Sequence, residues 1–228
     1  MDVVTALRAR GSTRAFLNRP VGRDQIAAVL DAARFAPSGT NVQPWQVHVV
    51  SGAVRDRVVA EVTQAAVDER ERHTSPFDFY PTDWRDPYLS RRRACGWGLY
   101  GRLGIQKGDR DAMLAQELRN YTFFDAPVGL FLFIDHDLPI GSWLDTGMFV
   151  QSVMLAAQAA GLATCPQYSW APFHRVIRPI LDAPEGATLV CGIALGYADP
   201  SAPVNGFRPD RLRVDEFTTW HGDPGTAT

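Results

Sequence analysis

The sequence predicts one mixed domain of the α+β class, and three observations carry that expectation. Apolar residues recur at helical spacing through the first third of the chain, as in Ile26, Val29, Leu30 and Ala33. Two near-continuous apolar runs, residues 127–134 and 188–194, have the length of strands buried on both faces. Helical patterns come first and then interleave with these runs, without the strict alternation that builds a parallel sheet.

Taken in order, Val3, Val4 and Leu7 predict a short first helix that Asp2 can cap and Gly11 ends. Pro20 precedes a second helix, with Asp24 as a candidate cap. Residues 45–50 read as a strand closed by Ser51-Gly52. Val54, Val58, Val62 and Ala65 mark a third helix. Residues 74–90 carry Pro76, Pro81 and Pro87 among aromatic and acidic residues, the signature of an irregular excursion and a candidate lid. Residues 91–120 predict two helices, the second built on Met113, Leu114 and Leu118. The helix over 143–160 is apolar almost all round, so it must be buried at the centre of a domain or a dimer. Val176, Ile177, Ile180 and Leu181 make a further helix. The segment after Pro200 is Pro-rich and lacks a core pattern, which suits an arm wrapped on a partner subunit.

Composition narrows the function. The chain has 228 residues, 46% apolar and 21% charged, which is ordinary for a globular domain. A net charge of -2 gives no basic field for nucleic acid. No apolar run is long enough to span a bilayer. Cys95, Cys165 and Cys191 lie far apart without metal spacing, and no signal pattern opens the chain, so a cytoplasmic protein without a metal is expected. Gly96-Trp97-Gly98-Leu99-Tyr100-Gly101 matches a dinucleotide fingerprint in letters only, because Arg91-Arg92-Arg93 precedes it instead of a buried strand. Its glycines are read as sites of close packing or of a mobile lid. Asp135-His136-Asp137 reads as a turn.

Three stretches carry chemistry. Ala36-Pro37-Ser38-Gly39-Thr40-Asn41-Val42-Gln43-Pro44-Trp45 packs small residues, two amides and two prolines between a helix and a strand, and can offer several donors to a flat, acceptor-rich ligand. Arg10 and Arg14 flank Gly11 and Ser12, and Arg208 and Arg211 lie in the coreless arm; bidentate guanidiniums of this kind suit a phosphate. Cys165-Pro166-Gln167-Tyr168-Ser169 follows a helix stop at Gly161, where Pro166 fixes the turn and leaves the next N–H groups free. Each stretch alone also reads as a solvated helix end or a plain loop. Together they point to a flavin phosphate.

In these residues the chain resembles the FMN-dependent nitroreductase family. The likeness runs through Arg10-Gly11-Ser12-Thr13-Arg14-Ala15-Phe16, the stretch from Ala36 to Trp45, Gly161-Leu162-Ala163-Thr164-Cys165-Pro166-Gln167, Cys191-Gly192-Ile193-Ala194-Leu195-Gly196-Tyr197 and residues 208–217. Tyr88-Leu89-Ser90-Arg91-Arg92-Arg93 and Arg119-Asn120-Tyr121-Thr122-Phe123-Phe124 resemble the nitrobenzoate-reductase subgroup. The resemblance implies a single three-layer α+β domain with a central mixed sheet flanked by helices. It also implies a domain-swapped homodimer with an FMN at each of two interface sites. Residues 74–120 would be a helical lid and 200–228 an arm wrapping the partner subunit.

It further implies that Arg10, Gly11, Ser12 and Arg14 hold phosphate, ribityl and pyrimidine edge. Pro37, Ser38, Gly39, Asn41 and Gln43 would come from the other subunit. Asn120, Pro166, Gln167, Tyr168 and Ser169 would meet the ring's polar edge, and Arg208 and Arg211 the phosphate. Pro209 stands where some relatives carry a lysine, which leaves the phosphate to Arg208, Arg211 and Arg10. NAD(P)H, with no permanent seat, would reduce the flavin and leave before a planar nitroarene takes its place, a ping-pong order. Tyr88, Trp97, Phe123, Phe124 and Trp170 are expected as walls for that arene, and one of Arg91, Arg92 or Arg93 as a partner for an aromatic carboxylate. Quinone or enone reduction, dehalogenation, dehydrogenation and non-catalytic flavin binding stay open on the same scaffold.

Overall fold

The computed structural model describes residues 1–222 and 225. Eight helices and four strands alternate along them: α1 (Val3–Ala9), α2 (Arg23–Ala33), β1 (Gln46–Ser51), α3 (Gly52–Asp68), α4 (Tyr88–Leu103), α5 (Arg110–Leu118), β2 (Val128–Asp135), α6 (Ile140–Ala159), β3 (Ala163–Gln167), α7 (His174–Leu181), β4 (Ala187–Gly196) and α8 (Val214–Phe217). Short 3₁₀ segments at Arg119–Asp125 and Tyr168–Phe173 lead into β2 and α7.

The sheet order is β1-β2-β4-β3, and every neighbouring pair is antiparallel. The expected mixed character is confined to its rim, where Ser12 forms a parallel bridge with Thr164 of β3. Alternate residues of a strand point to opposite faces, so the continuous apolar run of β2 feeds two cores. Phe131 and Phe133 pack with Val58, Val62, Trp170 and Ile177 under α3 and α7. Val128, Leu130 and Leu132 pack with Ile26, Val29, Phe149 and Val153 under α2 and α6. The result is three layers with the sheet in the middle.

Several local expectations shift. Asp2 does cap α1, its carboxylate accepting from the Thr5 N–H at 3.0 Å. Gly22, not Asp24, occupies the cap of α2, and Asp24 sits in the first turn, where a carboxylate favours the helix dipole. Trp45 stays outside β1 and stacks on Phe149 at 4.6 Å. Residues 163–167, expected as a loop, form β3; an edge strand tolerates Pro166 because one side of it makes no ladder. The glycine run 96–101 lies within α4, where a Cβ on Gly98 would come within 2.7 Å of the Phe207 ring. Close packing of the arm's first residues on α4 is therefore what Gly98 provides.

Helix α6 is only half enclosed by its own chain. Phe149, Val153 and Ala157 face the sheet. Ile140, Leu144 and Met148, spaced four apart, remain 76%, 68% and 40% exposed. A stripe of that kind is a surface built to be covered.

Candidate functional site

Two polar clusters sit at opposite ends of one strip along the β3 edge. The strip begins where Arg10 leaves helical geometry at the end of α1 (φ -58°, ψ 131°). The extended chain then runs beside β3: the Thr13 N–H donates to the Thr164 carbonyl at 3.0 Å. Asn205 buttresses it from the C-terminal side, its Oδ1 accepting from the Arg14 N–H at 2.8 Å and its Nδ2 donating to the Ala15 carbonyl at 2.8 Å. Asn205 is a positioning residue that sequence reasoning missed, because its partners lie some 190 residues away.

At the near end Arg10, Gly11, Ser12, Arg14, Arg208 and Arg211 line a cavity of about 510 Å³, with Cys95 also on its wall. Gly11 is required there: a Cβ would stand 2.7 Å from the guanidinium carbon of Arg208. Burial, and then the charges of Arg211 and Arg208, hold the Arg10 pKa below its ordinary value. The Arg10 Nε is buried with no partner. Arg208 and Arg211 donate only to nearby backbone carbonyls, at 2.8–3.1 Å. Among the described residues none of these three cations has an ion-pair partner. Three converging guanidiniums without a carboxylate form a site for a multiply charged anion.

At the far end Gln167 is 3% exposed. Its Nε2 donates to the Asn120 carbonyl at 2.7 Å, which leaves its Oε1 buried without a donor. The Ser169 hydroxyl is buried without a partner as well. Beside an open strip, buried orphan atoms of this kind are available to a ligand or a water molecule. Beyond them Tyr168 stacks on Phe79 at 4.2 Å and meets the edges of Phe77 and Tyr80 at 5.7 and 5.9 Å. Phe77 in turn packs edge-on to Trp143 at 4.4 Å. These lid aromatics escaped individual notice in the sequence; the signal was their density between residues 77 and 84. Under the strip, burial pushes the Cys165 thiol up to about 11, so it is an inert core group.

The structure corrects three expected substrate walls. Phe123 and Trp170 are wholly buried and Phe124 nearly so, packed with Phe131 and Tyr121 in the core below the sheet. A side chain without accessible surface cannot touch a substrate; these rings support the strip from beneath. Tyr88 and Trp97 remain exposed on α4.

Residues 37–43 do not join the strip within the chain. They precede β1, the opposite edge of the sheet from β3, three strand spacings or about 14 Å away. The Gly39 N–H donates to the Asp145 carboxylate of α6 at 3.2 Å, and Ser38 Oγ accepts from the Gln43 N–H at 3.0 Å. Thr40, Asn41 and Gln43 all hold positive φ (46°, 61° and 50°), a strained backbone that turns Pro37, Asn41 and Gln43 outward to solvent.

His136 and Asp137 form the expected turn just after Asp135 ends β2, with the His136 Nδ1 2.8 Å from the Gly186 carbonyl. Among the described residues no group of His, Cys, Asp and Glu is placed to hold a metal ion, and no helix is long and apolar enough to cross a membrane.

These features define an α+β protein with an arginine-lined cavity and buried, unpartnered polar atoms along one strip. The chain belongs to the nitroreductase family, whose sequence profile matches residues 7–197. It is 37% identical over 221 residues to a 4-nitrobenzoate reductase of Pseudomonas putida, covering 97% of this chain and 96% of that protein. It is 36% identical to a nitrobenzene nitroreductase of Ectopseudomonas oleovorans, covering 94% of each. Among solved structures, the FMN and NADPH-dependent nitroreductase NfnB from Sphigopyxis sp. strain HMH superposes with a TM-score of 0.95 at 40% identity, covering 98% and 100% of the two chains. The FMN-dependent nitroreductase NfnB from Mycobacterium smegmatis, in complex with NADPH, gives 0.91 at 33% identity, covering 96% and 97%.

Proposed function

We propose that this chain is an FMN-dependent NAD(P)H oxidoreductase that reduces nitroaromatic compounds, acting as a cytoplasmic homodimer. The observation that carries it is the strip itself: three uncompensated arginines at one end and the orphan acceptor of Gln167 at the other. The donor set fits the cofactor, since the guanidiniums of Arg10, Arg208 and Arg211 suit a phosphate dianion. Gly11 lets Arg208 approach the backbone. Relatives that share nearly the whole chain are a nitrobenzoate and a nitrobenzene reductase, which supports the substrate class.

When bound, FMN supplies the two-electron carrier between NAD(P)H and the nitro group. The protein's residues position and tune. Arg14 would supply a positive charge to the ring's pyrimidine edge, which gains negative charge on reduction. Gln167, the Tyr168–Ser169 backbone and Asn120 would hold the ring's polar edge. Phe77, Phe79 and Tyr80 pack on Tyr168 and would flank the ring face that nicotinamide and arene would use in turn.

A second copy completes the site. The exposed stripe of α6 pairs with its counterpart, and the solvent-facing loop 37–43 of one copy closes over the strip of the other. The arm after residue 200 presents Val214, Phe217 and Trp220, all exposed here, to the partner. Residues 223, 224 and 226–228 lie outside the described residues. The test is an anaerobic visible spectrum of purified protein before and after NADPH and then nitrobenzene. Bleaching followed by recolouring supports the proposal; flavin that NADPH leaves oxidised would instead mark a carrier, and a protein that takes up no FMN overturns the site.

A further inference from the structure

The three arginines in sequence on α4 end in different surroundings. Arg91 lies 5.9 Å from the Tyr88 ring, on the exposed side of the helix. Arg93 faces Asp86, whose carboxylate already accepts from the Ser90 N–H at 3.1 Å. Of the three, Arg92 is the one that meets Tyr80 and Trp84. Its guanidinium carbon is 4.8 Å from the Trp84 ring centre and 6.0 Å from that of Tyr80. Tyr80 is the same ring that meets Tyr168 edge-on at 5.9 Å, so Arg92 belongs to the cluster that bounds the far end of the strip. Among the described residues it has no carboxylate partner and no hydrogen bond.

A guanidinium resting on ring faces is fixed in place while the edge of its fork stays open. That edge matches a planar carboxylate through two parallel N–H···O bonds. We infer that Arg92 selects anionic arenes, binding the carboxylate of a nitrobenzoate-like substrate whose ring lies beside Tyr80, at the edge of the Phe79–Tyr168 stack. The inference rests on the nitroreductase reading and adds to it the residue that sets acid over neutral substrates. Asp86 takes up Arg93, and Arg91 meets only Tyr88, outside the ring cluster around Tyr168, which makes it the control.

The experiment compares kcat/KM for 4-nitrobenzoate, its methyl ester and nitrobenzene in the FMN-loaded wild type, R92A, R92K and R91A. Loss of charge-assisted hydrogen bonds lowers kcat/KM for the acid by about 10- to 100-fold in R92A. The ester and nitrobenzene change by less than about threefold, R92K falls between, and R91A follows the wild type. An unchanged acid-to-ester ratio in R92A overturns the inference while leaving the parent reading intact. So does a raised KM for NADPH but not NADH without a change in that ratio, which would assign Arg92 to the nucleotide's phosphate. An equal loss on all three arenes makes Arg92 a support for the lid and also overturns it. A wild type that reduces none of them removes the parent reading and this inference together.

Discussion

The strip along β3 and the loop 37–43 are both rich in small and polar residues, yet they differ in how their bonding is completed. In the strip, backbone groups are satisfied inside the chain, by Thr164 and Asn205, and the unpartnered atoms are side-chain atoms of Arg10, Gln167 and Ser169. In the loop, the few bonds are local or to Asp145, three non-glycine residues hold positive φ, and the side chains of Asn41 and Gln43 face solvent. The strip is shaped for a ligand by its own fold. The loop is free to meet a second molecule, as the proposed dimer requires. That difference places the first determinants of affinity in the strip and makes the loop's share depend on assembly.

The sharpest way to break the comparison is to empty the strip's anion site. Arg10→Ala with Arg208→Ala removes two charged donors, each worth about 10- to 100-fold, and should weaken FMN binding by about 100-fold or more in a flavin-fluorescence titration. Binding within about threefold of wild type would place the phosphate elsewhere. Next, Trp170→Ala hollows the core beneath the strip and should cost about 3–5 kcal/mol in urea unfolding, whereas Phe79→Ala in the lid should cost less than about 1 kcal/mol and change substrate KM instead. Equal stability losses would erase the distinction between supporting and lining aromatics.

Leu144→Glu puts a charge into the α6 stripe and leaves every arginine in place. Sedimentation should then show a monomer, with FMN affinity down by about tenfold or more because the partner's loop is lost. A monomer that binds FMN as the wild type does would show that the strip suffices alone.

Thiol chemistry gives the smallest effects. Cys95 lines the arginine cavity and is exposed, while Cys165 and Cys191 are held protonated by burial, up to about 11 and about 12. Native protein at pH 8 should therefore alkylate at one thiol, and FMN should slow it about two- to fivefold if the cavity is the cofactor's. Buried Cys165 and half-buried Cys191 keep their protons in the fold above the pKa of 9.0 they start from. The unfolded chain then binds fewer protons than the native one, so stability is full below pH 9 and falls as pH rises through the folded values. Cys165→Ala should flatten part of that decline in alkaline unfolding curves.

Much of this molecule is legible in its residues. Val128 to Ile134 and the 188–194 run carry no polar alternation because both their faces are buried, and strands with two covered sides need none. Arg10, Gly11 and Arg14 read as an anion motif because guanidiniums beside a glycine have few other uses. Residues 163–167 did not read as a strand, since Pro166 speaks locally against one and only the ladder with β4 overrides it. Phe123 and Trp170 read as pocket walls because an aromatic next to a binding motif looks alike whether it points in or out. Their direction is set by the sheet: Gly129 and Gly192 leave the space those two rings fill, a Cβ on either glycine falling within 2.5 Å of a ring atom.

The sequence by itself determined the class of fold and the family, and it pointed to the proposed ligand, because periodicity, charge and short motifs are local properties of the chain. Tertiary structure alone decided that Asn205 buttresses the strip from some 190 residues away and that Gly11 gives Arg208 its place beside the backbone. It also decided that loop 37–43 lies on the far edge of the sheet and that Arg92, of three adjacent arginines, stands on the lid aromatics. The physical reason is that each of these depends on which surfaces pack together once the sheet forms, and contacts between distant segments leave no spacing in the sequence to read.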